Sequence, residues 1–302
     1  MEKSPSRYLV FAGVLFTSLS SIIIRLSQAP SLVISFYRML FTVMLLFIPV
    51  MLKERKSING INKKDFILCI ISGVFLAMHF ASWIASISMT TISNSTILVS
   101  CSPIFVSLAN FFILKEHFTS KMLTGLLMSI VGTVIIALDS SGGSTSSMML
   151  GNILAFMGAV FVAGYLVIGG IVRKNLSAGA YVFIVYSASI VTLFFMCILT
   201  QTPIYPYSPK EFLLFLALAF FCSILGHTVY NYLMRYISAT MISVSTLCEP
   251  IFASVLALII FKEVPSVYTI VGGIIILSGV FYYIVSQNSY NSIENNNVAN
   301  RK

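Results

Sequence analysis

Ten long apolar blocks, separated by short polar links, run through the whole chain. Each block is about 17 to 24 residues long, the length that a helix needs to cross a hydrocarbon core of about 30 Å. Apolar residues occupy every side of each block, so the blocks lack the alternation typical of membrane-barrel strands. Backbone groups in lipid must be satisfied within the segment, so the pattern predicts helices. The predicted spans are residues 8–26, 32–52, 66–87, 92–114, 122–138, 150–172, 181–199, 211–233, 239–261 and 267–285.

Composition excludes an ordinary soluble protein. Hydrophobic residues make up 58% of the 302 residues and charged residues only 9%, against roughly 25% charged in globular proteins. The links are too short to hold a soluble domain, so the predicted fold class is an all-α integral membrane protein. The first block could alternatively be a secretory signal peptide. It is long for one, however, and its removal would break the repeat described below.

The positions of lysine and arginine predict the orientation. With ten spans and a cytoplasmic N-terminus, the outer loops hold only Arg25, Lys210 and Lys262. The cytoplasmic segments hold Lys3, Arg7, Lys53, Arg55, Lys56, Lys63, Lys64, Lys115, Lys121, Arg173, Lys174, Arg235, Arg301 and Lys302. This bias follows the positive-inside rule and predicts that both termini are cytoplasmic; with the short loops and the family resemblance described below, it indicates a plasma membrane. It also accounts for the net charge of +9 without nucleic acid as a partner, since no loop interleaves basic and aromatic residues.

A shift of 147 positions superimposes the second half of the chain on the first. The identities run without a gap from CSPIF against CEPIF to a Lys-Glu pair and two glycines. The residues repeated 147 positions later are Cys101, Pro103, Ile104, Phe105, Ser107, Ile113, Lys115, Glu116, Gly125 and Gly132. Apolar composition alone would not align these residue types together, so the sequence predicts a tandem duplication.

The duplication has a geometric consequence. Each half holds five spans, an odd number, so the second half enters the membrane from the opposite face. We therefore predict two inverted five-helix repeats, residues 1–143 and 144–286, around a central cavity, with a disordered cytoplasmic tail at 287–302. Such halves can close one gate while opening the other, which is alternating access. The Gly/Ser-rich link at 139–147 is the predicted hinge.

Each half also carries the same ordered motif of Pro, then Lys-Glu, then Gly-x6-Gly. In the second half these residues are Glu249-Pro250, Lys262-Glu263, Gly272 and Gly279. With the five-plus-five layout, residues 7–286 resemble the EamA family of the drug/metabolite transporter superfamily. The resemblance implies ten helices around a central cavity and transport, usually export, of small organic solutes such as amino acids, related metabolites or drugs. The first half departs from the family's Glu-Pro, since Ser102 precedes Pro103.

Ionisable residues inside a span are costly, so each is a candidate functional residue. Glu249 lies near the middle of the ninth predicted span, beside Pro250, which weakens the helix one turn before it. Its carboxylate could bind a substrate amine, couple transport to protons, or lock a helix pair as a hydrogen-bonded group. Arg38 lies about 10 Å into the second span. It could hold a substrate carboxylate, pair with Glu249, or snorkel toward the outer interface; the resemblance includes an arginine on this span.

Two pairs of side chains spaced four residues apart share a helix face. His79 and Trp83 on the third span could form one wall of a binding site, or Trp83 could lie in the outer aromatic belt. His227 and Asn231 on the eighth span, with the neighbouring Tyr230, could contact the solute. They could equally make interhelical hydrogen bonds, worth about 0.6 kcal/mol in membranes.

Hydroxyl-rich stretches lead to the two repeated prolines. The stretch before Pro103 includes Asn94 and Ser102, and its counterpart leads to Pro250. Matched, Pro-interrupted helices predict the position of a cavity in an inverted-repeat protein. Small-residue helix packing is the alternative, and both interpretations are compatible. The glycines of the repeat, together with Gly273, are interpreted as packing residues.

No motif indicates a cofactor, a metal or a catalytic centre. P-loop, HExxH and GxSxG patterns are absent, and the five cysteines contain no CxxC pair. We predict a secondary transporter whose partners are a small-molecule substrate, the bilayer and, if Glu249 couples transport, protons, acting as a monomer or homodimer. A passive channel or facilitator is the second hypothesis, although channels usually show a filter or charge rings. A membrane enzyme using His79, His227 and Glu249 is a distant third.

Overall fold

The computed structural model describes residues 9–114, 119–138, 145–237 and 239–299, and every element within these ranges is helical. Most elements are α-helices, and two are short stretches of other helix types. In chain order they are α1 Leu9–Leu26, α2 Ser31–Lys53, α3 Arg55–Asn59, α4 Lys63–Met89, α5 Ile92–Val99, α6 Ser102–Leu114, α7 Ser120–Ala137, α8 Thr145–Val172, α9 Ala178–Leu199, α10 Pro209–Ala217, a π-helical segment Leu218–His227, α11 Thr228–Leu233, α12 Ala239–Ser245, a 3₁₀ turn Thr246–Cys248, α13 Glu249–Phe261 and α14 Val267–Ala299.

Among the described residues, eight helical stretches are long and apolar enough to cross a bilayer. Three of these stretches are composite: α5 with α6, α10 with the π segment and α11, and α12 with the 3₁₀ turn and α13. Two further apolar helices are shorter, Ser120–Ile136 and Val267–Tyr283. The sequence predicts ten spans, and the helices at eight of those positions meet the length requirement.

The distribution of polar and apolar side chains is that of a protein embedded in a lipid bilayer. Large apolar side chains cover the outside of the bundle; Leu52 and Leu199, for example, are 80% and 81% exposed. Arg38, Asn94 and Asn231 are fully buried inside it. In water, such extensive exposed apolar surface would drive association, whereas lipid chains solvate it.

The main helix contacts join the first half of the chain to the second. α4 packs along α8 and α9, α1 packs along the π segment and α13, and α2 packs along α9. α5 and α6 contact α8, and α7 packs along α14. The two halves are therefore interleaved, and α1 packs within the bundle.

Four glycines bring α7 and α14 to backbone contact. A Cβ added to Gly125 would lie 2.6 Å from the carbonyl oxygen of Gly279, and one added to Gly132 would lie 2.6 Å from that of Gly272. Small residues allow membrane helices to approach this closely. A Cβ on Gly273 would lie 2.9 Å from a side-chain atom of α5. The predicted packing role of these glycines is confirmed.

The fourth and ninth predicted spans are both interrupted beside a proline. α5 ends at Val99, and α6 restarts immediately before Pro103. In the other half, α12 gives way to a 3₁₀ turn, and α13 restarts immediately before Pro250. Proline has no N–H and its ring clashes with the preceding turn, so a carbonyl one turn earlier loses its partner. The two breaks therefore lie at equivalent positions of the sequence repeat.

The π-helical segment distinguishes the eighth span from its counterpart α4. The sequence Lys64-Asp65-Phe66 aligns with Lys210-Glu211-Phe212 at a shift of 146, one less than the shift between the prolines. The second half thus contains one additional residue between these points, and a wider π turn accommodates it. One additional residue rotates the remainder of a helix by about 100°.

The structure covers most of the predicted disordered tail and part of the predicted hinge. α14 ends at Ala299, so the helix includes residues 287–299, for which composition predicts disorder. No proline or glycine follows Gly279, so the sequence contains no strong helix stop there. Residues 139–144 of the predicted hinge lie outside the described residues, as do Lys115 and Glu116, and residues 145–147 belong to α8.

Candidate functional site

Six of the predicted spans surround a cavity of about 60 Å³ inside the bundle. Its wall comes from α1, α4, α8, the span with the π segment and the two Pro-interrupted spans. The lining residues are Thr17, Ser20, His79, Trp83, Val99, Ser100, Ser102, Val162, Leu166, His227, Tyr230, Ile242, Thr246 and Glu249. Such a volume holds roughly four to six water molecules. A solute of metabolite size therefore requires the bundle to open further.

Among the described residues, Glu249 is the one carboxylate in this wall, and no lysine or arginine lines it. It is the first residue of α13, so the interrupted helix presents it at the cavity. The Oγ1 of Thr17 donates a hydrogen bond to Oε1 at 2.6 Å, and the hydroxyl of Tyr230 donates to the same atom at 3.0 Å. Among the described residues, Oε2 has no hydrogen-bond partner. One oxygen of the carboxylate is therefore held by two hydroxyl groups, and the residue lines the cavity.

His79 and Trp83 form a stacked pair on α4. Their ring centroids are 5.8 Å apart, and the rings are nearly parallel at 5°. The Nδ1–H of His79 donates to the carbonyl oxygen of Gly158 at 2.9 Å, since a carbonyl only accepts. In a neutral ring, Nε2 is then an acceptor. The indole N–H of Trp83 has no hydrogen-bond partner among the described residues. Trp83 is only 7% exposed, so the outer aromatic-belt interpretation is wrong.

His227 and Tyr230 also line the cavity and lie on consecutive elements, the π segment and α11. Their rings make an edge contact at 5.8 Å. The ring of His227 also contacts the ring of Phe80 on α4, at 5.5 Å and 80°. The π segment ends at His227, so both rings lie at the end of the segment where the helix returns to α geometry.

Three of the predicted site residues do not line the cavity. Asn94 accepts a hydrogen bond from Thr269 Oγ1 at 2.6 Å, which joins α5 to α14. Asn231 accepts from the Tyr165 hydroxyl at 2.7 Å, and its amide donates to the carbonyl oxygen of His227 at 2.9 Å. Both side chains therefore face neighbouring helices, α14 for Asn94 and α8 for Asn231. The third residue is Arg38.

Arg38 is fully buried beside the cavity rather than in its wall. Its Nε donates to Ser223 Oγ at 2.9 Å, and its guanidinium carbon lies 4.2 Å from the ring centroid of Phe80. It makes no ion pair with Glu249. The one ion pair among the described residues joins Arg25 to Glu263. Arg38 therefore neither snorkels to the interface nor neutralises Glu249.

The remaining predicted residues are brought together, with others that the sequence analysis did not single out. Ser102 lines the cavity with His79, Trp83, His227, Tyr230 and Glu249. Thr17 was missed although it binds Glu249, because the two are 232 residues apart in sequence. A run of hydroxyl residues around Thr17 in the first span is the one sequence signal that could have indicated it.

A polar cluster ties together three elements at the end of the bundle where α1 ends. Arg25 lies 3.5 Å from Glu263 and donates to the carbonyl oxygen of Thr90 at 2.9 Å. The other oxygen of Glu263 accepts from the backbone N–H of Ile92 at 2.6 Å, at the start of α5. A carboxylate at a helix N-terminus is stabilised by the helix dipole. We call Arg25, Thr90, Ile92 and Glu263 the end cluster.

Comparison of the chain with family profiles identifies one family. The sequence profile described as the EamA-like transporter family matches residues 6–138 and, separately, residues 149–285. An uncharacterized transporter of Archaeoglobus fulgidus is 25% identical over 72% of this chain and 74% of its own. The pseudopaline exporter CntI of Pseudomonas aeruginosa is 24% identical over 89% of this chain and 91% of its own. A solved crystal structure, 14% identical, covers 95% of this chain and 99% of its own with a TM-score of 0.67, which shows a shared fold.

Proposed function

Since this chain belongs to the EamA-like transporter family, we propose that it is a secondary transporter that moves small organic solutes out of the cell by alternating access. One observation carries the proposal. A half-satisfied carboxylate, Glu249, lies in an internal cavity at the break of a helix that has a broken counterpart in the other half. Binding residues at interrupted helices between repeats are the arrangement expected of an alternating-access carrier.

We propose that ten spans form two inverted halves. The family profile matches each half separately, which supports two copies of one unit. The crossing of α7 and α14 supports a two-fold axis, because such an axis exchanges the partners of a contact. A Cβ on Gly125 would meet Tyr283, and a Cβ on its counterpart Gly272 would meet Ile136. Ile136 and Tyr283 are themselves counterparts, 147 positions apart.

The cavity lies where the proposed two-fold axis would relate its walls. Its six spans form three equivalent pairs: α1 with α8, α4 with the span of the π segment, and the two interrupted spans. Val99 and Thr246 line the cavity at positions 147 apart, and so do Ser102 and Glu249. Ser102 and Glu249 also mark the chemical asymmetry, because only the second half carries the acid.

We place the protein in the plasma membrane with both termini cytoplasmic, following the distribution of lysine and arginine. The end cluster then lies at the outer face. It connects α1, the link between α4 and α5, and the link after α13, so it closes the outer side of the cavity in the conformation described here. Release of a solute to the outside requires these contacts to open.

The end cluster gives a testable prediction. Loss of one charge-assisted hydrogen bond costs about 1.5 to 3 kcal/mol, and each 1.4 kcal/mol is tenfold. We expect Glu263→Gln to raise outside labelling of a Ser100→Cys reporter by about tenfold, measured with a membrane-impermeant thiol reagent in a background without the five native cysteines. Lys262→Gln is the matched control, since that exposed neighbour makes no contact in the cluster. Unchanged labelling in Glu263→Gln would argue against an outer gate at this position.

The charge of the cavity wall favours a solute with an amine. A buried carboxylate binds an ammonium group by charge-assisted hydrogen bonds, and the stacked pair of His79 and Trp83 offers a flat surface for an aromatic or cationic group. Amino acids, related metabolites and amphipathic drugs meet this description. Export is the direction we propose, consistent with the pseudopaline exporter among the relatives.

Glu249 also provides a route for proton coupling. A proton and a substrate ammonium compete for the same carboxylate, so binding of one on one side can drive release of the other. Transport in proteoliposomes is then driven by an imposed pH gradient. Transport at an unchanged rate after the gradient is collapsed would rule out coupling and leave a uniporter or exchanger.

A passive channel or facilitator is the alternative, and counterflow separates the two. Proteoliposomes are loaded with an unlabelled amine or amino acid and diluted into a trace of the same labelled compound. A carrier accumulates the label transiently, because exchange requires a loaded site to reorient. A channel only equilibrates it.

A panel of amino acids, polyamines and amphipathic amines, first screened by thermal stabilisation in detergent, supplies the compounds. Counterflow with none of the stabilising compounds would contradict the carrier proposal, and their chemical conversion would indicate an enzyme.

A further inference from the structure

Arg38 is a buried cation whose hydrogen-bonding groups are mostly unused. A guanidinium has five N–H donors in a planar fork. Only the Nε–H of Arg38 is satisfied, by Ser223 at 2.9 Å, and neither Nη1 nor Nη2 has a partner among the described residues. The residue is fully buried. Buried charges are normally paired, so an unpaired one requires an explanation.

Phe80 connects this cation to the cavity wall. The face of its ring covers the guanidinium, with the carbon Cζ 4.2 Å from the centroid. The same ring makes an edge contact with His227, which lines the cavity. A cation–π contact is a weaker partner for guanidinium than two parallel hydrogen bonds to a carboxylate. The contact with Phe80 thus holds Arg38 in place, and an anionic group entering from the cavity could replace that contact.

We infer that Arg38 is a subsite for a carboxylate of the transported solute, and that the Phe80 ring controls access to it. This inference rests on the proposed transport function and deepens it. The fork of Nη1 and Nη2 matches the two oxygens of a carboxylate. A phosphate group, with a charge of about −1.5 to −2, would require more than one cation. No second lysine or arginine contacts Arg38 among the described residues.

The position of the subsite also limits the shape of the solute. A series of contacts through three rings, Tyr230, His227 and Phe80, connects Glu249 to Arg38. An α-amino acid carries its amine and carboxylate on one carbon, whereas an ω-amino acid can place the two groups on the two sides of this ring series. The subsite therefore favours a zwitterion with an amine at one end, for Glu249, and a carboxylate at the other, for Arg38.

Three matched probes test this inference by thermal unfolding of the purified full-length protein. ε-Aminocaproate has its charges at opposite ends, norleucine is its α-amino isomer, and ε-aminocaproamide lacks the negative charge. We expect ε-aminocaproate to bind the native protein at least about tenfold more tightly than either of the other two, seen as stabilisation at lower concentration. γ-Aminobutyrate and δ-aminovalerate, which are shorter, should bind progressively better as the chain lengthens.

Variants assign the effect to Arg38. Arg38→Met should abolish the preference for ε-aminocaproate over its amide, and Arg38→Lys, which keeps the charge without the fork, should retain part of it. Phe80→Leu should increase the preference by removing the covering ring. Lys210→Met, at the exposed start of α10, is the control that should leave it unchanged. If Arg38→Met is unstable, the preference for ε-aminocaproate over its amide is compared in Arg38→Lys and Phe80→Leu instead.

The outcomes separate the inference from the function on which it rests. Equal stabilisation by ε-aminocaproate and ε-aminocaproamide would overturn the carboxylate subsite and identify Arg38 as a hydrated structural cation only, while leaving an amine transporter intact. A preference that survives in Arg38→Met would also overturn it. Failure of all these compounds and of other amines in both stabilisation and counterflow would overturn the subsite together with the proposed function.

Discussion

Glu249→Gln is expected to reduce transport at least about 100-fold while leaving the fold intact. The amide has nearly the same shape, and its oxygen still accepts from Thr17 and Tyr230, so both hydroxyls keep their partner. What is lost is the negative charge that would hold a solute amine and exchange it for a proton. Truncating one member of a buried charge pair costs about 2 to 5 kcal/mol, and 1.4 kcal/mol is tenfold.

The measurement is counterflow and pH-driven uptake in proteoliposomes, with thermal unfolding as the check on folding. Because binding and coupling use the same carboxylate, we expect both activities to fall together. Glu54→Gln, an acid at the end of α2 and outside the cavity, is the matched control and should transport normally. Normal transport by Glu249→Gln would show that this carboxylate only locks α13 to α1 and α11.

Substitution at the crossing of α7 and α14 is expected to have the largest effect on stability. A Cβ on Gly125 or on Gly272 would lie within 2.8 Å of a backbone carbonyl oxygen of the other helix, so the helices must separate. Overpacking typically costs about 1 to 3 kcal/mol, and loss of the close contact adds to that cost. We expect Gly125→Ala and Gly272→Ala each to lower the midpoint of thermal unfolding in detergent clearly.

Gly170→Ala on α8 is the control, because an added Cβ there would lie 3.7 Å from its nearest neighbour, an ordinary contact. The proposed two-fold axis predicts one further result of this experiment. Gly125 and Gly272 occupy equivalent positions, so their substitutions should cost similar amounts. A marked difference between the two, or no effect of either, would contradict an equivalent crossing of the two helices.

Sequence patterns located the helices and several cavity-lining residues because strong signals exist for each. Length and hydropathy define a span, proline defines a break, and a buried acid such as Glu249 is conspicuous in an apolar block. The spacing of His79 and Trp83 placed them on one face, and the structure shows them stacked in the cavity wall. Each of these predictions depends on the length, residue types or spacing within a single span, and these can be read from the sequence.

The sequence did not determine which side of each helix faces the cavity. A helix that is apolar all round has no amphipathic pattern from which to read its inner side. Asn94, Asn231 and Arg38 were therefore assigned to the cavity by polarity alone, and each faces a neighbouring helix instead. Thr17 was missed because its partner belongs to the other half. The π segment is visible only as a change of one residue in the repeat spacing.

Access to the cavity from the two sides of the membrane tests the central claim most directly. Ser100→Cys, in a transport-competent background without native cysteines, is labelled in oriented vesicles by an impermeant thiol reagent from one side or the other. The end cluster is then closed with a bifunctional thiol reagent through Arg25→Cys and Glu263→Cys. Alternating access predicts that the cross-link blocks outside labelling, preserves inside labelling and stops counterflow. Labelling from both sides with transport unaffected by the cross-link would contradict it.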